Sequence, residues 1–145
     1  MVQRAWFSPA VLLLVIAGGA IGVAVRAVIV VPLGDVANPL VVPVVTLAVN
    51  LLGAFTLGVI VGRLDDHHPR LRAFLGTGVM GGFTTYSAFA VQSVTVSSAS
   101  PLIGMLLIAV SLFGGVVAAA AGLGVGRGPT RRPGAESPEL SLIHI

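Results

Sequence analysis

The sequence contains no cysteine and no lysine, and only 9% of its 145 residues are charged. Without cysteine, the chain can form neither disulfide bonds nor thiolate metal sites. Its mean hydropathy is +1.05, and 56% of its residues are hydrophobic. A soluble domain of this length has too much surface for its volume to hide that much apolar material from water. We therefore expect the excess apolar surface to face lipid.

Acidic residues are missing from every long apolar run. Small multidrug-type exporters, which are also short four-helix membrane proteins, need a carboxylate inside the membrane for coupling to protons or cations. The runs also contain no nucleophile–base pair and no pair of acids, so we expect no enzyme activity. An exporter of this class remains an alternative, but the positions of the acidic residues disfavour it. All five lie in connections or near the C-terminus: Asp35, Asp65, Asp66, Glu136 and Glu139.

Four apolar runs are long enough to cross about 30 Å of hydrocarbon. They cover approximately 10–31, 41–61, 73–99 and 102–125, and the third is interrupted at Gly81–Thr84. The sequence therefore predicts an all-α membrane protein in which residues 1–125 form one domain of four transmembrane helices. Residues 126–145 are rich in proline, glycine and charge, which predicts a disordered C-terminal tail. The origin of its last six residues, LSLIHI, is left open.

The positive charge is distributed unevenly along the chain. Eight arginines against five acids give a net charge of +3, which we interpret as an orientation signal rather than as nucleic-acid binding. In a four-span protein the N-terminus, the second connection and the tail share one side, and the other two connections contain no arginine. The positive-inside rule places both termini in the cytoplasm, because seven arginines lie on that side or at its border: Arg4, Arg63, Arg70, Arg72, Arg127, Arg131 and Arg132.

Polar residues at membrane depth are costly and therefore informative. Thr46 and Asn50 are four residues apart in the second run, so they share one helix face with Gly53. Asn50 could bond a neighbouring helix or donate its amide N–H to an anion, and the sequence leaves both uses open. Arg26, near the end of the first run, could extend to the interface or supply positive potential to a water-filled vestibule.

The interruption in the third run has the sequence GGFTTYSAF, residues 81–89. Two glycines and two threonines mark a place where helical hydrogen bonding can lapse. Non-helical backbone inside a membrane is tolerated only where it is buried in protein or lines a cavity. Freed carbonyls there suit a hard cation such as Na⁺. After the break, Tyr86, Phe89 and Ser93 lie on one stripe with Gln92 beside it, which makes an ion pathway plausible.

Three sequence motifs of this chain resemble those of a known protein family, and they occur in the same order as in that family. They are GGAIGVAVR (18–26), TLAVNLLGAFTLG (46–58) and GGFTTYSAF (81–89). Together they resemble the Fluc/CrcB family of fluoride channels over about residues 17–125. The resemblance implies an antiparallel dimer of two inverted four-helix subunits in the cell membrane, surrounded by lipid. It also implies two narrow pathways that export toxic fluoride passively, and a structural Na⁺ at the dimer centre that is not transported.

The resemblance also assigns roles to individual residues. It implies that the backbone carbonyls of Gly81 and Thr84 hold the Na⁺, and that Arg26 acts electrostatically at a vestibule. Ser111 is nominated separately, because VSLFGGV (110–116) echoes VNLLGAF (49–55) within the chain. The expected fluoride pathway then consists of Thr46, Asn50, Thr85, Tyr86, Ser87, Phe89 and Ser111.

Two positions depart from the family pattern. The family usually has phenylalanine where this chain has Tyr86, and threonine where it has Ala88. These departures leave open a second interpretation, in which the chain is a non-conducting structural partner in a heterodimeric channel. Since the arginine bias predicts a single orientation, we expect the inverted partner to be a paralogue of opposite bias rather than a second copy.

Overall fold

The structure is a computed structural model, and it describes residues 8–64 and 68–128. Helix α1 spans Pro9–Val30 and continues into a 3₁₀ turn at Val31–Leu33. Helix α2 spans Val41–Arg63. The last helix, α6, spans Pro101–Arg127, so the predicted tail lies outside the described residues from 129 onward.

The third apolar run folds as a series of shorter helices. Its leading half, residues 69–83, begins with α3 (Pro69–Arg72), continues as a π-helical segment (Ala73–Met80) and ends with α4 (Gly81–Phe83). Its trailing half is α5 (Tyr86–Ala99). Ser100 alone separates α5 from α6, in an extended conformation.

The described residues are helical without any strand, as predicted. Three helices are long and apolar enough to cross a membrane: Pro9–Leu33, Val41–Arg63 and Pro101–Arg127, with mean hydropathies of 2.4, 2.3 and 2.5. Neither half of the third run reaches that length alone. The chain is therefore a multi-pass membrane protein, and a fourth span formed by two half-helices stays a prediction.

Glycines allow α2 and α6 to approach closely. A Cβ added to Gly58 or Gly62 would meet the backbone of α6, and one added to Gly122 would meet the carbonyl oxygen of Phe55 on α2. Gly126 faces α2 in the same way. In lipid, helices have no hydrophobic driving force for association. Small residues favour association instead, because they let two backbones reach van der Waals contact.

Glycines also allow α1 to pack closely against the third run. Gly18 and Gly22 are buried against the backbone of the leading half, and Gly82 lies against the carbonyl oxygen of Gly19. Gly115 on α6 is different, because no atom lies within 4 Å of a Cβ built on it. That part of α6 borders an open cleft instead.

Few side chains are buried among the described residues, and three of them are polar. Val49, Phe83 and Val96 are the buried hydrophobic residues, whereas many large apolar side chains of α1, α5 and α6 are exposed. Such an inside-out distribution is expected where lipid or another subunit covers the outer surface. The buried polar side chains are Thr46, Thr85 and Ser93.

Candidate functional site

The helix break lies at Thr84–Thr85, later in the chain than the predicted interruption at Gly81–Thr84. Thr84 (φ −79°, ψ 156°) and Thr85 (φ −145°, ψ 119°) are extended, whereas Gly81 and Gly82 remain helical. Gly82 stays helical in the turn that packs against α1. At Thr84–Thr85, side chains replace the missing helical hydrogen bonds.

Asn50 supplies that replacement from α2. Its amide Nδ2 donates to the carbonyl oxygen of Thr85 at 3.0 Å, and its Oδ1 accepts from the Thr85 N–H at 2.8 Å. The Thr85 N–H can only donate, so the orientation of the amide is determined. Of the two uses that the sequence left open for Asn50, the structure shows the bond to a neighbouring segment. The Nδ2 group has a second hydrogen and can still donate once more.

The two threonine side chains complete the break. Thr85 is the N-cap of α5, and its Oγ1 accepts from the Ala88 N–H at 3.2 Å and lies 3.3 Å from Ser87 Oγ. Thr84 Oγ1 donates to the Met80 carbonyl at 2.9 Å, and the Thr84 N–H bonds the same oxygen at 3.0 Å. The N–H groups of Thr84, Thr85 and Ala88 and the hydroxyls of both threonines therefore have defined partners.

Two carbonyls are released by these bonds. In a continuous α-helix the Thr85 N–H would bond the Gly81 carbonyl, and the Ala88 N–H would bond the Thr84 carbonyl. Asn50 and the Thr85 hydroxyl take those two N–H groups instead. The released carbonyls belong to Gly81 and Thr84, the residues expected to hold Na⁺. Carbonyl oxygens are suitable ligands for a hard cation, so these residues fit the expected ion.

A cleft of about 880 Å³, the large cleft, opens between α2, the leading half and α6. The side chain of Tyr86 is 83% exposed there and that of Phe89 is half-buried. Seven of the ten expected site residues line this cleft: Asn50, Gly81, Thr84, Thr85, Tyr86, Phe89 and Ser111.

Arg26 and Ser87 lie elsewhere. They line a second cleft of about 590 Å³, the arginine cleft, together with Thr85 and Gln92. Thr85 borders both clefts, so the break separates them. Thr46 lines neither; it is buried, with 1% of its surface exposed.

Sequence reasoning missed three contributors to the site. Met80 accepts both bonds from Thr84, and the Met80–Thr84 spacing of four residues on a helix could have indicated this. The sequence places Ser93 on the aromatic stripe and Gln92 beside it, but it assigns neither a role. Both carry a buried polar atom without a hydrogen-bond partner among the described residues.

The sequence that contains this helix break matches a known protein family. The family model described as "CrcB-like protein, Camphor Resistance (CrcB)" matches residues 13–123. The chain belongs to the CrcB family. The match confirms the resemblance seen in the sequence, and it covers most of α1, all of α2, the break and most of α6.

Relatives of the CrcB chain are named as channels. It is 40% identical over 121 residues to the fluoride-specific ion channel FluC 2 of Leifsonia xyli subsp. xyli, covering 79% of this chain and 74% of that one. It is 39% identical over 118 residues to the fluoride-specific ion channel FluC of Agrobacterium fabrum, covering 79% and 94%. A match to FluC 2 of Corynebacterium jeikeium is 47% identical over 100 residues and covers 67% of this chain but 54% of that relative, about half its length. Ion channels are not enzymes.

Proposed function

We propose that this CrcB chain is a subunit of a fluoride-selective channel that lets toxic fluoride leave the cell passively. The observation that carries the proposal is the Asn50–Thr85 pairing, which opens the helix beside Tyr86 and Phe89. The names of the relatives indicate the ion. We place the chain in the cytoplasmic membrane with both termini in the cytoplasm, because of the arginine bias.

The residues of the large cleft suit fluoride chemically. Fluoride is small and strongly hydrated, so a pore must replace its water with several weak donors without trapping it. The second N–H of Asn50 and the hydroxyl of Ser111 are such donors. The ring edges of Tyr86 and Phe89 carry positive electrostatic potential and add weak attraction. Arg26 adds positive potential from the arginine cleft.

A structural Na⁺ fits the same break. The released carbonyls of Gly81 and Thr84 would hold it, and a bound cation would attract an anion to the neighbouring pathway without itself moving. Two carbonyls are too few to replace the hydration shell of a cation, so further oxygen ligands are needed. An inverted second subunit across the large cleft would supply the remaining ligands.

The second subunit would also cover the open face of the cleft. Tyr86, Leu112 and Val116 are 83%, 63% and 65% exposed on or beside it. A paralogue with the opposite arginine bias is our proposed partner, since one copy of this chain is not expected to insert both ways. The phenol of Tyr86 and the missing hydroxyl at Ala88 also favour an alternative role for this chain, as a non-conducting structural subunit. In that role the partner supplies the pair of aromatic residues that lines the conducting pathway.

Fluoride efflux from liposomes tests these proposals. The purified chain is reconstituted alone and with its paralogue, and fluoride and chloride efflux are followed with ion-selective electrodes. We expect fluoride efflux and chloride retention. Efflux only when both chains are present would support the partner role, whereas equal leakage of both anions would exclude a selective channel.

A further inference from the structure

The π-helical segment Ala73–Met80 is longer than the single turn that is usual for this kind of helix. Its main-chain bonds join residues five apart, whereas those of an α-helix join residues four apart, so a π turn holds more residues than an α turn. The helix is of the α type both before and after the segment. Residues after the segment are therefore rotated about the helix axis, compared with their positions in a continuous α-helix.

The packing of this region against α1 depends on that rotation. The carbonyl oxygen of Phe74 is one of the atoms that a Cβ on Gly18 would meet. Further along the chain, Gly82 lies against the carbonyl oxygen of Gly19. Phe74 and Gly82 both face α1 although they are eight positions apart, whereas two turns of an α-helix contain about seven residues. If the segment were α-helical, Gly81 would replace Gly82 against α1.

Gly81 has no packing reason to be glycine in the described register. No neighbouring atom of the described residues lies within 4 Å of a Cβ built on it, and its φ of −65° is ordinary for any residue in a helix. Gly82 differs, because its Cβ would collide with Gly19. The α-helical register reverses the two positions, since Gly81 would then need to be glycine and Gly82 would not. Two consecutive glycines therefore allow either register to pack against α1.

We propose that Ala73–Met80 is a register switch, and that Na⁺ binding favours its π-helical form. The inference rests on the structural Na⁺ proposed above. In the π-helical form Gly81 and Thr84 both line the large cleft, where their released carbonyls would hold the ion. Tightening into an α-helix would turn Gly81 from the cleft toward α1, while Asn50 holds the break in place, so one ligand would be lost. A cation that binds one of two conformations shifts the population toward it, so the ion would set the register.

The first measurement compares the two registers directly in the purified channel. Nuclear magnetic resonance on isotopically labelled protein reports which residue lies against Gly19, in NaCl and in KCl of equal concentration. We expect the contact of Gly82 with Gly19 in NaCl, and a gain of the contact of Gly81 with Gly19 in KCl. The melting temperature, followed as Na⁺ replaces K⁺, measures binding of the ion, because a ligand of the folded state raises it.

Two alanine substitutions should shift the register in opposite directions. Gly82→Ala places a methyl group against the Gly19 carbonyl in the π-helical form, so we expect the α-helical contact to dominate in both salts. The Na⁺ concentration that gives half of the thermal response should rise about tenfold or more. Gly81→Ala fits the π-helical form and blocks the α-helical one, so Gly82 should stay against Gly19 in both salts. Gly124→Ala is the control, because its added Cβ also meets no atom within 4 Å, and it should respond to Na⁺ like the parent.

The outcomes separate the switch from the proposed ion, and neither readout depends on fluoride conduction. If Na⁺ raises the melting temperature but Gly82 stays against Gly19 in KCl, the ion binds and the switch is excluded. If Na⁺ changes neither quantity, the proposed Na⁺ site fails first, and this inference fails with it. Should Gly82→Ala not fold, Gly81→Ala and the parent still decide, because a Na⁺-dependent contact that persists in Gly81→Ala would also contradict the switch.

Discussion

The side-chain amide of Asn50 pairs with both backbone groups of Thr85, a residue 35 positions away, through bonds of 3.0 and 2.8 Å. One side chain thus bonds both the N–H and the carbonyl of Thr85 at the break. The same pairing releases the Gly81 carbonyl and keeps Asn50 beside Tyr86 and Phe89. We infer that Asn50 is first a positioning residue and only then a donor to an anion.

Asn50→Asp tests this pairing. The carboxylate cannot donate to the Thr85 carbonyl and places negative charge beside the pathway, so we expect fluoride efflux to be lost. We also expect the protein to lose about 1–3 kcal/mol of stability, measured by thermal or chemical denaturation. Asn38→Asp is the matched control, because its Oδ1 accepts from the Leu40 N–H in an exposed turn and an aspartate keeps that acceptor. Full activity in Asn50→Asp would place the pathway elsewhere.

Phe89→Ile tests the aromatic edge. The substitution keeps an apolar side chain and removes the ring, so we expect fluoride efflux to be abolished while the elution volume and thermal stability stay close to those of the parent. Phe113→Ile is the control, since Phe113 is 69% exposed on α6 and does not line the large cleft. Equal loss of efflux in both variants would indicate a general effect of removing an aromatic ring.

Gly122→Ala tests the close packing of α2 and α6. A methyl group there meets the Phe55 carbonyl, so we expect a loss of about 1–3 kcal/mol in stability. Gly124→Ala is the control on the same helix, because no atom lies within 4 Å of its added Cβ. That variant should be neutral or more stable by up to about 1 kcal/mol, since alanine favours a helix over glycine. Similar melting temperatures for both variants would contradict the packing.

Cysteine labelling tests the orientation, because the chain has no cysteine of its own. Single cysteines replace Asp66 in the second connection and Gly34 in the first. We expect an impermeant thiol reagent to label Asp66→Cys from the cytoplasmic side only and Gly34→Cys from the outer side only. Labelling of Asp66→Cys from both sides to the same extent would demonstrate dual topology and remove the need for a paralogue.

The sequence by itself determined where the long apolar helices lie. Hydrophobic runs of membrane length predicted α1, α2 and α6 within a few residues, because in lipid the chain must satisfy its own backbone hydrogen bonds over each run. The glycine-threonine motif also predicted that the third run is broken. Each of these features depends on local composition, which is visible in the sequence.

Tertiary structure decided where the break falls and what the polar residues do. The break begins at Thr84 rather than at the glycines, because Gly82 packs against α1 and Asn50 reaches the next turn. Tertiary packing also places Ser87 and Tyr86 in different clefts, and it buries the hydroxyls of Thr46 and Ser93 without a partner among the described residues. A hydrogen bond between residues far apart in sequence leaves no periodic pattern in either segment, so only the packed helices reveal it.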